Sequence, residues 1–297
     1  MLAERITPMG LSKTIWTNPT EYLRAKTPEQ PVLFFAPQVV QAVARRFLDG
    51  FPGFVTYAVK SNPGEAVVEN LVAAGVKGFD VASPFEMELI RRLAPDAALH
   101  YNNPVRARHE IRTAVALGVK SYSVDSKTEL AKLIEMVPAD ATEISVRFKL
   151  PVAGAAYNFG AKFGATEDVA VDLLKTVAEA GFIPSITFHA GTQCTDPNAW
   201  GSYIREAAEI ARKAGVKIAR LNVGGGFPSH RLNAVSPQLE SIFALIDRVA
   251  TEAFGADRPI LVCEPGRAMC GDAFAVAARI KALRDGTHVF LNDGVYG

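Results

Sequence analysis

The feature that most constrains the fold of this chain is a regular alternation of short apolar runs and amphipathic stretches between residues 54 and 263. The apolar runs predict β-strands, and the stretches between them carry apolar residues at helical spacing. Several predicted helices stop at a glycine just before the next strand: Gly75, Gly118, Gly181 and Gly215. The predicted strands lie at 54–59, 78–82, 98–102, 121–125, 143–148, 183–189, 218–223 and 259–263, and the predicted helices at about 64–74, 84–94, 106–117, 126–136, 167–180, 198–214 and 237–253.

Eight strands that alternate with helices predict a parallel (β/α)8 barrel, the TIM-barrel class of α/β fold. The alternative is an open, doubly wound sheet, which usually carries a G-x-G-x-x-G turn after its first strand. Here the first strand of the alternation is followed by Lys60-Ser61-Asn62-Pro63 instead. No linker, low-complexity tract or internal repeat interrupts the region, so we expect one barrel domain over residues 36–267.

The rhythm of the sequence changes after the predicted barrel. Apolar runs at Ala273–Leu283 and Thr287–Leu291 have no helix between them and predict strands of a separate, antiparallel element. The turn at Asn292–Gly297 is followed by no closing strand, and an unpaired strand is an exposed edge. We therefore expect an incomplete β-domain formed by both termini, residues 1–35 and 268–297.

Charge and composition exclude several classes of partner. The 297 residues include 32 basic and 31 acidic side chains, and a net charge of +1 gives no electrostatic reason to bind nucleic acid or an anionic membrane. No apolar run approaches the span of a bilayer, and residues 1–10 lack a secretory pattern, so we expect a cytoplasmic protein. Three scattered cysteines are too few for a disulfide framework or a zinc site, and no metal is expected: Cys194, Cys263 and Cys270.

A single lysine, Lys60, ends the first barrel strand. Because the active sites of these barrels lie at the carboxyl ends of the strands, we expect its amine at the mouth of the barrel and its stem in apolar surroundings. Burial disfavours the ammonium form, so such an amine can lose its proton near neutral pH and attack a carbonyl carbon. The alternative is a lysine that only extends its charge to solvent.

Three successive glycines follow the seventh strand, Gly224, Gly225 and Gly226. They allow the backbone to approach an anion closely and to aim several N–H groups at it. Barrels commonly bind phosphate at the loops after strands seven and eight, where this triplet and Arg267 fall. A flexible turn is the alternative interpretation, and Arg267 in the neighbouring loop favours phosphate.

Three further strand-end residues admit both a structural and a functional interpretation. His189 is either a structural or a catalytic histidine, and the small-residue turn after it favours the second. Glu264 follows an apolar run, and a buried carboxylate needs a partner, either a protonated ring nitrogen of a ligand or Arg267. Arg147 lies within a strand and must also be paired, with Asp80 as the candidate.

These groups together describe a site for pyridoxal phosphate. A lysine that attacks carbonyls binds the aldehyde, and a glycine loop with an arginine binds the phosphate. A carboxylate keeps the pyridine nitrogen protonated, so that the ring can accept electrons from a carbanion at the α-carbon of an amino acid.

The sequence resembles the pyridoxal-phosphate-dependent decarboxylases built on an alanine-racemase-like barrel, which include ornithine, lysine/ornithine and diaminopimelate decarboxylases. The matching motifs run in the family order from about residue 32 to the end of the chain. They are Tyr57–Asn62, Gly78–Ser83, Lys162–Ala165, Phe188–Pro197, Gly224–Pro228, Glu264–Arg267 and Asn292–Gly297.

The resemblance implies a role for each candidate residue. Lys60 is the lysine that forms the Schiff base, His189 stacks on the cofactor ring, and Glu264 meets the pyridine nitrogen. Thr192 supplies a hydroxyl to the phosphate at a position where many relatives carry serine. The remaining residues implied to hold the phosphate are Gly224, Gly225, Gly226 and Arg267. Those implied to surround the lysine are Asp80, Glu86 and Arg147.

The resemblance also implies an activity. The run Cys194–Pro197 is closer to the ornithine branch than to the diaminopimelate branch. We therefore expect α-decarboxylation of a basic amino acid, ornithine or lysine, to a diamine in polyamine biosynthesis. The alternatives are diaminopimelate or arginine as the substrate, racemisation on the same fold, and a non-catalytic homologue that binds a partner.

Two last expectations concern the subunit partner and the C-terminal region. In the family, two subunits pair head to tail and share their active sites, which implies a homodimer. The family's β-domain continues beyond the Asp-Gly-Val-Tyr-Gly motif and supplies residues that recognise the substrate, none of which has a counterpart in these 297 residues. We expect a chain that lacks this segment, binds pyridoxal phosphate and decarboxylates poorly on its own.

Overall fold

The computed structural model of the protein contains two compact units. One comprises Met1–Ala36 together with Phe274–Gly297, and the other comprises Pro37–Ala273. The last residues of the final sequence motif, 295–297, lie outside the described parts of the chain. The residues that the structure describes are 5–6, 12–13, 15–150, 162–230 and 238–294.

The N-terminal part of the first unit contains one helix, within the residues described there. This helix begins after Asn18, whose side-chain Oδ1 accepts a hydrogen bond from the backbone N–H of Glu21 at 3.0 Å. Such an N-cap satisfies one of the free donors of the first helical turn. The elements are β1 (Arg5–Ile6), β2 (Ser12–Lys13), α1 (Pro19–Lys26) and β3 (Val32–Phe35).

The second unit is a closed barrel of eight parallel strands, which confirms the predicted fold class. Each strand pairs with the next one along the chain, and the last pairs with the first. The strands are short and largely buried, as expected for a parallel sheet covered on its outer face by helices. They are β4 (Gly53–Ala58), β5 (Gly78–Val81), β6 (Ala98–Tyr101), β7 (Ser121–Val124), β8 (Glu143–Arg147), β9 (Ile183–Thr187), β10 (Arg220–Asn222) and β11 (Ile260–Cys263).

Helices connect the strands, and all four glycines predicted to end helices have a positive φ. Gly75 and Gly215 adopt left-handed backbone angles, with φ of 104° and 66°, at the C-termini of their helices. No helix in the described ranges is both long and apolar enough to cross a membrane. The helices are α2 (Pro37–Gly50), α3 (Glu65–Ala74), α4 (Pro84–Leu93), α5 (Arg108–Ala116), α6 (Lys127–Met136), α7 (Glu167–Glu179), α8 (Asn198–Ala214), α9 (Leu239–Phe254) and α10 (Arg267–Cys270).

The C-terminal strands of the first unit form two small antiparallel sheets. β12 (Phe274–Ala277) pairs with β3, and β13 (Ile280–Arg284) pairs with β14 (His288–Leu291) in a hairpin. The run predicted as one strand is therefore divided in two near Arg279. The division is held by Arg279, whose backbone N–H donates to the Asn292 side chain at 2.7 Å. The assignment of this unit as a partial β-domain stays a prediction.

Candidate active site

Lys60 lies just beyond the carboxyl end of β4. The strand ends at Ala58, so Lys60 occupies a 3-10 turn, Val59–Ser61, rather than the last strand position. Its Nζ atom lies 2.8 Å from Oδ2 of Asp80 on the neighbouring strand β5. Asp80 is 1% exposed, whereas the Lys60 side chain is 55% exposed. The lysine is thus held by a buried carboxylate while its side chain stays accessible.

The charge state of Lys60 differs from the expectation drawn from the sequence. Partial loss of solvent around its amine lowers the pKa, but attraction to Asp80 and Glu264 and the hydrogen bond to Asp80 together raise that pKa above its usual value. In the protein alone the amine is therefore an ammonium ion at neutral pH. The expectation that burial makes it lose its proton readily is wrong, because two carboxylates face it.

The turn that carries Asp80 into α4 is fixed by two hydrogen bonds at the start of the helix. The Ser83 hydroxyl accepts a hydrogen bond from the backbone N–H of Glu86 at 3.4 Å, and Glu86 Oε2 accepts one from the N–H of Ala82 at 2.7 Å. Burial, the largest cause, raises the pKa of Glu86. Glu86 therefore supports the position of Asp80 through the backbone and does not contact Lys60 directly in this arrangement.

Glu264 follows β11 and is 8% exposed. Its Oε1 atom accepts hydrogen bonds from the side-chain amides of Asn102 and Asn222. Burial and then the charge of Asp80 raise the pKa of Glu264 to about 7. The sequence left open a purely structural ion pair between Glu264 and Arg267. That interpretation is wrong, because two neutral amides bond to the carboxylate instead.

His189 lies two residues beyond β9 and is neutral at physiological pH. Its Nδ1 accepts a hydrogen bond from the backbone N–H of Gly191 at 3.0 Å, so the neutral ring carries its proton on Nε2. Burial, then the positive charges of Arg147 and Lys60, lower the pKa of His189 to about 3. An uncharged ring can pack against a protonated pyridine without charge repulsion.

Arg147 ends β8 and lines the same cavity as Lys60. Its guanidinium carbon lies 5.2 Å from the centre of the Phe163 ring, a cation–π distance. The predicted pairing of Arg147 with Asp80 is wrong, since Asp80 is bonded to Lys60 instead. Arg147 remains within electrostatic range of Glu264, Asp125 and Asp80, and burial lowers its pKa.

The glycine triplet after β10 occupies positions that exclude any side chain. Gly224 and Gly226 have φ of 69° and 85°, in the left-handed region. A Cβ atom at Gly224 would lie 2.2 Å from the backbone oxygen of Phe188, and one at Gly226 would lie 2.0 Å from that of Gly191. A Cβ at Gly225 would lie 2.7 Å from a backbone oxygen. The triplet is therefore a close-fitting loop rather than a flexible turn.

Two adjacent cavities open at this end of the barrel, and Lys60, His189 and Glu264 line both of them. The first has a volume of about 280 Å³, and its other lining residues are Ala82, Asn102, Asn103, Pro104, Arg147, Lys162, Phe163, Thr187 and Phe188. The second, of about 300 Å³, is further lined by Ala58, Ser61, Thr192, Gln193, Gly225, Gly226, Phe227, Gly266, Arg267 and Ala268.

The predicted site residues thus come together, with two in supporting positions. Asp80 contacts Lys60, and Gly224 donates its N–H to the Asn222 side chain at 2.9 Å. Asn102 and Asn222 were not among the site residues predicted from the sequence. Both follow or end barrel strands, so the rule that found the other residues, polar side chains at carboxyl ends of strands, also covers these two. In the described ranges no cluster of His, Cys, Asp and Glu suits a metal ion.

These residues fit pyridoxal phosphate. The second cavity offers a glycine loop without room for side chains, the Thr192 hydroxyl and the Arg267 guanidinium, a donor set for a phosphate. Lys60 lies between the cavities, as a lysine that binds the aldehyde must. Fold and site together define a (β/α)8-barrel protein of the pyridoxal-phosphate-dependent class.

A comparison with protein families gives the particular group. Residues 38–271 match the family described as pyridoxal-dependent decarboxylase, pyridoxal binding domain. This match covers most of the chain, so the chain belongs to that family. Its cofactor is pyridoxal 5'-phosphate.

Individual relatives are decarboxylases of basic amino acids. The lysine/ornithine decarboxylase of Selenomonas ruminantium is 30% identical over 251 residues, which cover 82% of this chain and 63% of the relative. The ornithine decarboxylase of Mus musculus is 30% identical over 264 residues, with 81% and 56% coverage. The chain therefore spans less than two thirds of the length of these relatives.

Solved structures share the fold. The lysine/ornithine decarboxylase of Vibrio vulnificus complexed with putrescine superposes with a TM-score of 0.78 and 27% identity, covering 94% of this chain and 75% of that one. The arginine decarboxylase of Paramecium bursaria Chlorella virus gives a TM-score of 0.82 and 25% identity, with 94% and 76% coverage.

The fit of the glycine loop can be tested by adding one methyl group. We expect Gly226→Ala to lower the affinity for pyridoxal phosphate and to destabilise the chain by about 1–3 kcal/mol beyond the cost of its backbone angle, because the Cβ meets a backbone oxygen. Gly118→Ala is the matched control, since Gly118 has φ of 70° and a Cβ atom there would have no neighbour within 4 Å. Urea unfolding and cofactor titration measure both effects. Equal losses of stability and cofactor affinity in the two variants would show that the Cβ atom at position 226 does not collide with the backbone.

Proposed function

We propose that this chain is the cofactor-binding part of an enzyme that removes the α-carboxylate of a basic amino acid, ornithine or lysine, to give a diamine. The observation that carries the proposal is the convergence of Lys60, His189, Glu264 and Arg267 on two adjacent cavities at the mouth of the barrel. The names of the relatives support the substrate class. With a diamine as its product, the reaction would belong to polyamine biosynthesis.

Each residue has a separate task. Pyridoxal phosphate, when bound, supplies a ring that accepts the electrons left on the α-carbon by the departing carboxylate. Lys60 would hold the cofactor covalently, and the glycine loop with Arg267 would bind its phosphate. Neutral His189 would pack on the ring face. Glu264 would keep a proton on the ring nitrogen, because its buried carboxylate has no cation bonded to it among the described residues.

The alternatives differ in substrate or in catalysis. Arginine is a candidate because the viral arginine decarboxylase shares the fold, and diaminopimelate and racemisation stay open on the same barrel. A non-catalytic homologue that serves as a binding partner is the alternative from another class. The presence of all four converging residues favours an enzyme, since binding to a partner does not need an accessible lysine and a buried carboxylate in one site.

The assembly that goes with this proposal is a homodimer with shared active sites. In this arrangement a second subunit would supply groups that recognise the distal amine of the substrate. Losing the partner of a buried charge costs about 2–5 kcal/mol, so the subunit contact matters to turnover. The cytoplasmic location stays a prediction from the sequence.

The test is carbon dioxide release from ornithine, lysine, arginine and diaminopimelate, each with and without added pyridoxal phosphate. The panel is run on this chain and on a chimaera extended by the C-terminal segment of the Selenomonas relative. We expect cofactor-dependent release from ornithine or lysine, with a diamine as the product, and higher turnover in the chimaera. Carbon dioxide release from arginine alone, or from diaminopimelate alone, would assign that amino acid as the substrate instead of ornithine or lysine. If cofactor is bound at Lys60 in both proteins but no substrate releases carbon dioxide, the optical rotation of each substrate is followed. Racemisation would then assign that activity, and neither release nor racemisation would favour the binding-partner alternative.

A further inference from the structure

The Glu264 carboxylate is held by two neutral amides that act on the same oxygen. Asn102 and Asn222 both donate to Oε1. Glu264 and Asn102 are each 8% exposed, and Asn222 is 6% exposed. A hydrogen bond from a neutral donor to a charged acceptor is stronger than one between neutral groups. Two of them on one atom fix the direction in which the carboxylate points.

The second carboxylate oxygen, Oε2, has a different environment. Among the residues that the structure describes, none donates a hydrogen bond to it. Glu264 lines both cavities, so Oε2 has access to the space where a ring would lie. A carboxylate oxygen that faces a cavity and has no donor from the protein can accept a hydrogen bond from a ligand.

The two asparagines are themselves anchored to different strands. Asn222, at the end of β10, accepts the Gly224 N–H on its Oδ1, so its amide nitrogen must point towards Glu264. Asn102 follows β6, and its backbone oxygen accepts a hydrogen bond from the Ser123 hydroxyl at 2.8 Å. The two amides thus reach Glu264 from separate parts of the barrel and oppose its rotation.

We propose that Asn102 and Asn222 are positioning residues that hold Glu264 with Oε2 free for the protonated ring nitrogen of the cofactor. The inference rests on the proposed role of Glu264 and deepens it. Asn222 also joins the carboxylate to the glycine loop, because one amide group contacts both. The position of the carboxylate that would bind the ring nitrogen is therefore linked to the position of the loop that would bind the phosphate.

The neutrality of the two donors is part of this arrangement. A lysine or arginine bonded to Glu264 would satisfy its charge and remove its demand for a protonated ring. Lys60, a cation that lines both cavities with Glu264, is bonded to Asp80 instead. Amides fix the carboxyl group without pairing it with a cation, so a protonated pyridine nitrogen can supply the positive charge that stabilises its ionised form.

Asn102 is the better residue for a test, because its side chain hydrogen-bonds only to Glu264 within the described chain. The probes are pyridoxal phosphate and an analogue in which a C–H group replaces the ring nitrogen. Both retain the aldehyde and the phosphate. We expect the parent protein to prefer pyridoxal phosphate, and Asn102→Ala to lower that preference roughly 10-fold, the value of one hydrogen bond to a charged group. Affinity for the analogue should stay unchanged.

Two further variants keep the test decisive. Asn70→Ala removes an amide that lines neither cavity and bonds to the Gln41 side chain and the Ala66 backbone, and it should retain the preference. Asn102→Leu keeps the volume of the side chain if the alanine variant does not fold. An equal fall in affinity for both probes, or an unchanged preference, would overturn the positioning role. A parent protein without any preference would instead overturn the proposed role of Glu264, and this inference with it.

Discussion

Replacing Lys60 with alanine is expected to abolish covalent attachment of pyridoxal phosphate and to lower turnover by several powers of ten. The reason is that the nucleophile for the cofactor aldehyde disappears, and a free cofactor must then react with each amino acid without a lysine to position it. Borohydride reduction of the loaded parent protein, followed by peptide mass analysis, should place the adduct on Lys60. The alanine variant should carry none.

A second lysine in the same cavity provides the control. Lys162 lines the first cavity together with Lys60 but is not bonded to Asp80. We expect Lys162→Ala to keep the adduct on Lys60, and Lys60→Ala not to transfer it to Lys162. An adduct on Lys162 or on any other lysine of the parent protein would contradict the assignment.

The raised pKa of Lys60 adds a kinetic readout to the same prediction. Only the neutral amine attacks an aldehyde, and a raised pKa leaves little of it at neutral pH. Below that pKa, the neutral fraction grows about tenfold for each unit of pH, so the rate of attachment should rise steadily through the mildly alkaline range. Stopped-flow absorbance measures the rate. A plateau at neutral pH would show that the two carboxylates do not control the amine.

The barrel could be predicted because its determinants are local. Each strand is a short apolar run, each helix has its own apolar face, and glycines such as Gly75 and Gly215 end helices through backbone angles that other residues avoid. The rule that barrel sites lie at the carboxyl ends of strands then gathers Lys60, His189 and Glu264 without any knowledge of distances.

The partners of these residues could not be predicted in the same way. Which groups touch depends on side chains from strands far apart in sequence, and a strand-end rule gives no such distances. Asp80 could pair with Arg147 or Lys60 by sequence alone, and only the 2.8 Å separation decides for Lys60. The pKa of Lys60 follows from that contact, since burial and opposite charges act in opposite directions.

Replacing Glu264 with glutamine is expected to leave cofactor attachment intact and to lower decarboxylation roughly 10²- to 10³-fold, the usual cost of removing one preorganised electrostatic group. Glutamine is nearly isosteric, and its amide oxygen can still accept from Asn102 and Asn222. Its amide nitrogen would then face the ring and donate to the pyridine nitrogen, which favours the unprotonated ring. The measurements are the borohydride adduct on Lys60 and the rate of carbon dioxide release.

Another buried glutamate of the barrel separates loss of function from loss of stability. Glu143 is the first residue of β8 and is 7% exposed. Its Oε2 atom lies 2.8 Å from the Nη1 atom of Arg220, and it lines neither cavity. Glu143→Gln should destabilise the chain without reducing the turnover of the folded protein. Glu264→Gln should reduce turnover without destabilising the chain. Parent-like turnover in Glu264→Gln would show that the ring does not need a carboxylate at its nitrogen. The electron-accepting role of the site would then have to depend on other charges, of which Arg147 is a candidate along the wall of the first cavity.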